Sequence, residues 1–537
     1  MASVKQEGAA FAASAVPESG HVIAQAGVGL VSATYRLLPE ALRWSVGAAA
    51  ILYISGYLLA SLLHMSYPFE IGFMDGNFLV QLERVMHGQP LYVAPTLSYT
   101  PMVYGPVYFY IAGLAAKIVG FGMAPLRLVS FLASLGSFTL LFRFVHRETA
   151  STYCALASVG LFAATYRETS YTFDLATTDS LYIFLLVSAA YLLRWRRDAA
   201  SLAFAGALAA LSFLTKQTAL IVILPLTAYA AMLRRRLFGA FAGTAAAFGA
   251  GGIAWLHLTS GGWSTVYMFS VISTIFSAWR QFALFWARDV FLVLPVAAFF
   301  CVFYFLDSVS QEDHRPAWFY CGLGAGTLAA GWLYTLNWGA APGGRIPPYF
   351  FLCLLSGLGL DRALRTLTVH PTKSSPTWKN MVFVALLIQF SALVYNPLQV
   401  VPGQSGVGAG RELVARIARF PGPVYLPYHP YLPVLAGKPG FAHMMNLRFV
   451  LRAKDDGAVA PLRNELHQAF QQKKFAAVIT DADWTHEILD EEYRTDLLKN
   501  YIKSGEIPYP DNSVFRIVAS PMTVRPEFIY LPKQESQ

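Results

Sequence analysis

Asp75 stands in the acidic segment EIGFMDGNFLVQLERVMHGQPLY, residues 70–92, directly after the first apolar stretch long enough to cross a membrane. A carboxylate at that place is costly unless it is solvated, paired or put to work, so Asp75 is the first candidate for chemistry. Glu70 and Glu83 flank it and read as solvated loop or helix residues. Further along, Asp174 and Asp179 stand five apart in DLATTD, Lys216 interrupts the apolar GALAALSFLTKQTAL, and Arg345 follows Gly343-Gly344. Arg127 opens an apolar run, and Tyr99, Tyr104 and Tyr108 follow the acidic segment closely.

The elements that must position these groups are membrane helices. The chain has 537 residues, 55% hydrophobic and only 13% charged, roughly half the charge of a soluble protein. Apolar runs recur near 44–65, 126–145, 152–167, 180–194, 200–214, 217–233, 237–257, 287–306, 317–336, 347–361 and 380–395, which defines a polytopic α-helical membrane protein. The net charge of +9 sits in short clusters between runs, where positive-inside topology places it, and is no nucleic-acid signal. Arg194, Arg196 and Arg197, then Arg234 to Arg236, then Arg362, Arg365, Lys373 and Lys379 mark the inside. Residues 177–180, 215–218 and 337–348 then fall outside, and the acidic loop 311–314 inside, against a rule in which acidic residues count little.

Residues 104–120 are also apolar enough to cross, but Asp75 and Asp179 share one side only if this segment lies along the outer surface. Its tyrosines and Lys117 suit an interface. The count is then about eleven crossings with the C-terminus outside. Residues 1–43 read as a cytoplasmic tail, with the first span an uncleaved anchor. Residues 44–395 form the membrane domain, with 66–125 as its first external loop. After residue 396 a Pro/Gly linker leads to an external α/β unit ending at 537, with strands at 423–428 and 475–482 and helices at 461–474 and 484–500. Cys154, Cys301, Cys321 and Cys353 lie within or beside apolar runs without C-x-x-C spacing, which suggests neither a disulfide framework nor zinc.

An acidic residue after the first span, then HGQPLY, then YTPMVYGPVYFY, resembles the first external loop of the GT-C glycosyltransferases. The branch with protein O-mannosyltransferases and the lipid A aminoarabinose transferase is most similar. The likeness continues through LRLVSFLASLGS, DLATTDSLYIFLL and GALAALSFLTKQTAL, weakens after about residue 233, and is one of architecture alone in the tail. The resemblance implies transfer of a sugar from a polyprenyl-phosphate carrier to an acceptor hydroxyl on a glycan, lipid or protein, at the outer face of a bacterial inner membrane. Asp75 matches the catalytic base, which takes the acceptor proton, usually with inversion. Many members carry Asp-Glu here, whereas this chain has Asp75-Gly76, which leaves the role of a second carboxylate in doubt.

The leaving lipid phosphate implies cations, for which Arg345, Arg127 and Lys216 are the candidates; snorkelling anchors are the alternative reading of each. Arg280, in the Trp/Phe-rich stretch 258–286, reads rather as an interfacial anchor. Asp179, with Asp174, is a candidate to orient sugar or acceptor hydroxyls, although N-capping explains Asp179 as well. Tyr99, Tyr104 and Tyr108 are candidates to stack on sugar or lipid, and Glu70 to stand in for the second carboxylate. His429, in LPYHP, reads as structural or acceptor-facing. No cofactor is required by any motif, and a divalent cation enters only if the fold gathers Asp75, Glu70 and Asp179. A transporter of lipid-linked intermediates is the alternative function; duplicated halves and paired broken helices, its usual signs, are not evident in the sequence.

Overall fold

The computed structural model describes residues 19–274, 281–336, 342–369, 371–372, 374–453, 456–483, 491–511, 514–517 and 524–534, with side chains from residue 38 onward. Arg280 and residues 337–341 lie outside these. The first helix, α1 (Ser19–Met65), is followed by α2 (Asp75–Met86), α3 (Val107–Val119), α4 (Met123–Thr149), α5 (Thr152–Ala164), α6 (Asp179–Trp195), α7 (Ala199–Thr215), α8 (Ala219–Ala231) and α9 (Arg235–Thr259). Helices Pro295–Val309, Arg315–Thr335, Ile346–Val369 and Ser375–Ala392 complete the bundle. Each of the eleven apolar runs thus contains a helix. The region before residue 44 differs from the expected tail, because α1 is already helical from Ser19.

Local sequence explains several boundaries. Ser151 caps α5 by accepting from the Cys154 N–H at 3.2 Å, and Asp198 caps α7 by accepting from Ser201 at 2.8 Å. The run at 287–306 is not one straight span: Phe285–Phe291 and Pro295–Val309 meet at 94°. Pro295 lacks the N–H that would continue the first segment and keeps Leu294 out of helical geometry (φ −129°, ψ 52°).

Four described helices are long and apolar enough to cross a membrane on their own: Leu38–Met65, Met123–Thr149, Arg235–Thr259 and Ser375–Val400, or five spans if the bent pair is counted as one. Helices of 13 to 17 residues, such as α5, α7 and α8, fall short of the ~20 that a straight crossing takes. Trp44, Leu52, Leu258, Leu292 and Val309 stand exposed on the outside of the bundle, an apolar belt that lipid covers and water would not. The chain is a multi-pass membrane protein.

Charged groups are sorted to the two ends of this bundle. At one end Arg194 pairs with Glu148 at 2.8 Å, Tyr320 donates to the same carboxylate at 2.8 Å, and Arg362 pairs with Asp307 at 2.7 Å. At the other end lie Asp75, Arg127, Asp179, Lys216 and Arg345. The N-terminal end of α3 is at this second end: Gln217, just past α7, donates to the Val103 carbonyl at 2.7 Å, and Tyr108 donates to the Leu126 carbonyl at 2.8 Å. Leu114, Ile118 and Val119 on α3 are exposed.

Beyond residue 400 a four-stranded sheet forms from β1 (Val424–Tyr425), β2 (Ala477–Thr480), β3 (Tyr501–Glu506) and β4 (Phe528–Pro532), ordered β1-β2-β4-β3. The β1–β2 pair is parallel and the others antiparallel. Helices Gln404–Ala418, Met444–Leu451, Asp456–Gln471 and Glu491–Asn500 accompany it. Most of the expected Pro/Gly linker is therefore helical. Its glycines serve close approach: a Cβ at Gly406 would sit 3.1 Å from the Tyr67 hydroxyl, and one at Gly410 would overlap the Phe69 ring. This helix packs on the loop that leads to Asp75.

Candidate active site

Asp75 is the first residue of α2, where the helix dipole favours a carboxylate. Its two oxygens differ. Oδ2 accepts from the backbone N–H groups of Ile71 and Gly72, both at 3.1 Å, and from Arg127 Nη2 at 3.3 Å. Oδ1 is buried and has no hydrogen-bond partner among the described residues. Gly72 keeps space beside it, since a Cβ there would lie 2.6 Å from Oδ1.

Arg127, at the start of α4, is fully buried. Nη1 donates to the carbonyls of His64 at 2.8 Å and Tyr67 at 2.5 Å, and Nη2 to Phe69 at 2.5 Å. One guanidinium thus gathers the end of α1, the following loop and the Asp75 carboxylate. The ion pair is buried, and three backbone carbonyls meet the other donors of Nη1 and Nη2.

Glu70 supplies the neighbouring carboxylate. Its Oε1 accepts from the Gly76 N–H at 2.9 Å, in the first turn of α2. A Cβ at position 76 would overlap that oxygen and lie 2.7 Å from the Tyr431 ring, so glycine there is a condition of Glu70 reaching the helix end. The other oxygen of Glu70 contacts His429 Nδ1, and His429 Nε2 lies 3.0 Å from Asp481. Both ring nitrogens face carboxylates, so the ring donates twice as imidazolium. Burial pulls its pKa down, but Asp481 and Glu70 outweigh that and lift it to about 10. Burial pushes Glu70 up to about 7 against the pull of His429. Burial, with the His429 charge, holds His443 down at about 3, a neutral ring against Phe73. Asn77 and Asn446 exchange amide hydrogen bonds at 2.8 and 3.0 Å, a second tie between α2 and the C-terminal unit.

Two more ion pairs lie at the same end of the bundle. Lys216 contacts Asp179 Oδ1 at 2.6 Å, with its ammonium 4.2 Å from the Tyr334 ring centre and 5.4 Å from that of Tyr104. Arg345 pairs with Asp289 at 3.1 Å and donates to the Glu168 carbonyl at 3.0 Å. Arg288 approaches the same Asp289 carboxylate at 2.8 Å, so two guanidiniums share one anion.

The structure therefore brings Asp75, Arg127 and Glu70 together, and separately pairs Lys216 with Asp179 beside Tyr104. Arg127 spends Nη1 and Nη2 on carbonyls and Asp75, as an anchor does, while its buried Nε has no partner among the described residues. Asp174 is equally engaged: His64 lies 2.7 Å from it and Tyr166 donates at 2.5 Å, while His64 also reaches the Val400 carbonyl at 2.9 Å. This carboxylate positions the junction after the last bundle helix. Tyr99 is buried beneath Arg84, 3.9 Å from its ring centre, and its hydroxyl meets the Gln81 amide and donates to the Leu91 carbonyl, so it braces the loop. Tyr108 is buried likewise, and its hydroxyl is tied to Leu126. Asp75, Glu70 and Asp179 are not gathered, and among the described residues no group of three His, Cys, Asp or Glu is placed to hold a metal ion. Sequence reasoning missed Asp481, His443, Arg288 and Asp289, none of which stands in a motif.

Comparison with known proteins places this arrangement in a class. Residues 101–255 match the family model described as dolichyl-phosphate-mannose-protein mannosyltransferase. The whole fold is similar to ArnT from Cupriavidus metallidurans bound to undecaprenyl phosphate, with a TM-score of 0.55 and 12% identity over 90% of this chain and 98% of that one. It is similar also to the apo state of that protein, with a TM-score of 0.52 and 14% identity over 81% and 93% of the two chains. No curated protein sequence matches. The fold is that of these ArnT structures.

Proposed function

We propose that the protein is a membrane glycosyltransferase that moves a sugar from a polyprenyl-phosphate carrier to an acceptor hydroxyl. The fold, the match over residues 101–255 and the lipid phosphate held by the similar ArnT structure support this reading. The observation that carries it is the divided carboxylate of Asp75, with Oδ2 anchored and Oδ1 without a partner. In this reading Oδ1 takes the proton of the acceptor hydroxyl as its oxygen attacks the anomeric carbon. The bond from that carbon to the phosphate oxygen breaks, and polyprenyl phosphate leaves with the electron pair. Attack from the side opposite the phosphate inverts the anomeric centre.

The phosphate goes to the Arg288–Asp289–Arg345 cluster, where two guanidiniums against one carboxylate leave a net positive charge. Lys216, neutralised by Asp179, lies beside the Tyr104 ring. Eleven segments cross the membrane, α3 lies along the outer face, residues 1–43 are cytoplasmic and residues 396–537 lie outside, in a bacterial inner membrane. The bilayer thins locally to the length of the short helices.

The test is transfer in detergent with a panel of polyprenyl-phosphate sugars, read as free polyprenyl phosphate. Wild-type protein that releases none from any donor rules the reading out. Arg345→Ala is expected to raise the donor KM roughly ten- to a hundred-fold, the worth of a charged hydrogen bond, and to leave the acceptor KM near its original value. Arg345→Lys recovers part of the loss. An unchanged donor KM in Arg345→Ala reassigns the residue to holding Asp289.

A further inference from the structure

We propose that Glu70 is a positioning residue for Asp75 and that the C-terminal unit holds it in place through His429, so the site is incomplete without that unit. The inference rests on the glycosyltransferase reading and adds to it a residue set that spans two parts of the chain.

Three observations carry it. The position next to Asp75 is glycine, and the volume that a side chain would take there is filled by the Glu70 carboxylate. That carboxylate accepts the Gly76 N–H, so it fixes the turn from which Asp75 projects. Nearly all of its own surface is covered, and its countercharge comes from His429, 359 residues away, with Asp481 behind it. Carboxylates at one helix end repel, and a cation between Glu70 and Asp481 offsets that repulsion and favours the charged form of Glu70. The groups that face this chain of contacts are Asp75, Tyr431 (whose hydroxyl accepts from the Glu70 N–H at 3.2 Å) and the neutral His443. His429 is neither a surface residue nor a core filler. It is the link by which the C-terminal unit sets the geometry of the first loop.

The experiment uses the full-length protein and a donor that wild-type protein turns over. Without wild-type turnover the functional reading fails, and the variants are not needed to show it. With it, three variants are compared for kcat, donor KM and thermal unfolding. Glu70→Gln keeps the shape and the Gly76 hydrogen bond but removes the charge that His429 balances; kcat is expected to fall about ten-fold or more with the donor KM within two-fold. His429→Gln is expected to do the same. Gly76→Glu is expected to lose activity, because Glu70 already fills the space. A folded Glu70→Gln protein with wild-type kcat overturns the proposal, even if His429→Gln fails to fold.

Discussion

Asp75→Asn lowers kcat by about 10²–10⁴-fold, the usual worth of a positioned general base, and leaves donor binding in place. The amide has the carboxylate's shape, and its oxygen can accept from Ile71 and Gly72 as Oδ2 does. What it cannot do is accept a proton at the position of Oδ1. The substitution also removes the countercharge of Arg127, so the unfolding temperature drops too, and binding of the lipid-phosphate donor serves to show that the protein remains folded. Arg345 and Arg288, proposed to take the donor phosphate, pair with Asp289 and not with Asp75. Turnover of Asp75→Asn within three-fold of wild type would remove Asp75 from the chemistry and leave it a helix-terminal residue paired with Arg127.

Arg127→Gln is expected to have the largest effect on stability, a loss of about 3–5 kcal/mol, as when one partner of a buried ion pair is taken away. Three carbonyls and one carboxylate lose their donor together. The affected segment is the path from the end of α1 to α2, so turnover falls with stability. Thermal unfolding in detergent measures the first and sugar transfer the second. An unfolding midpoint close to that of wild type would mean that the loop is held by its packing on helix Gln404–Ala418 and by the His429 contact, and that the guanidinium is dispensable.

Much of the scaffold was legible in the sequence because the hydrophobic period of a membrane helix is long and repeated. Asp75, Arg127, Asp179 and Lys216 stood out as ionisable residues in apolar surroundings, each an anomaly visible without any partner. The partners were not legible. Asp75 meets Arg127 from 52 positions away, Lys216 meets Asp179 from 37, and Glu70 meets His429 from 359. No local pattern encodes such distances.

Two misreadings have a shared cause. Glycines at 406 and 410 indicate a linker by propensity, yet they let a helix press against Tyr67 and Phe69. Glu70 looked like a solvated loop residue because the vacancy it fills is made by the absence of a side chain six residues later. Strands β3 and β4 are short and alternate weakly, and the break before Pro295 was hidden inside a run that is apolar throughout.

The glycine seat on Tyr67 and Phe69 bears on how this chain can be recombined. A chimera that joins this bundle to the tail of another protein of this fold inherits a bare aromatic shelf beside the loop, and an acidic residue stripped of its imidazolium. Exchange of tails therefore succeeds only when LPYHP and the small-residue helix travel with the bundle, so the functional boundary of the donor part lies past residue 429 rather than at the change in composition near 396.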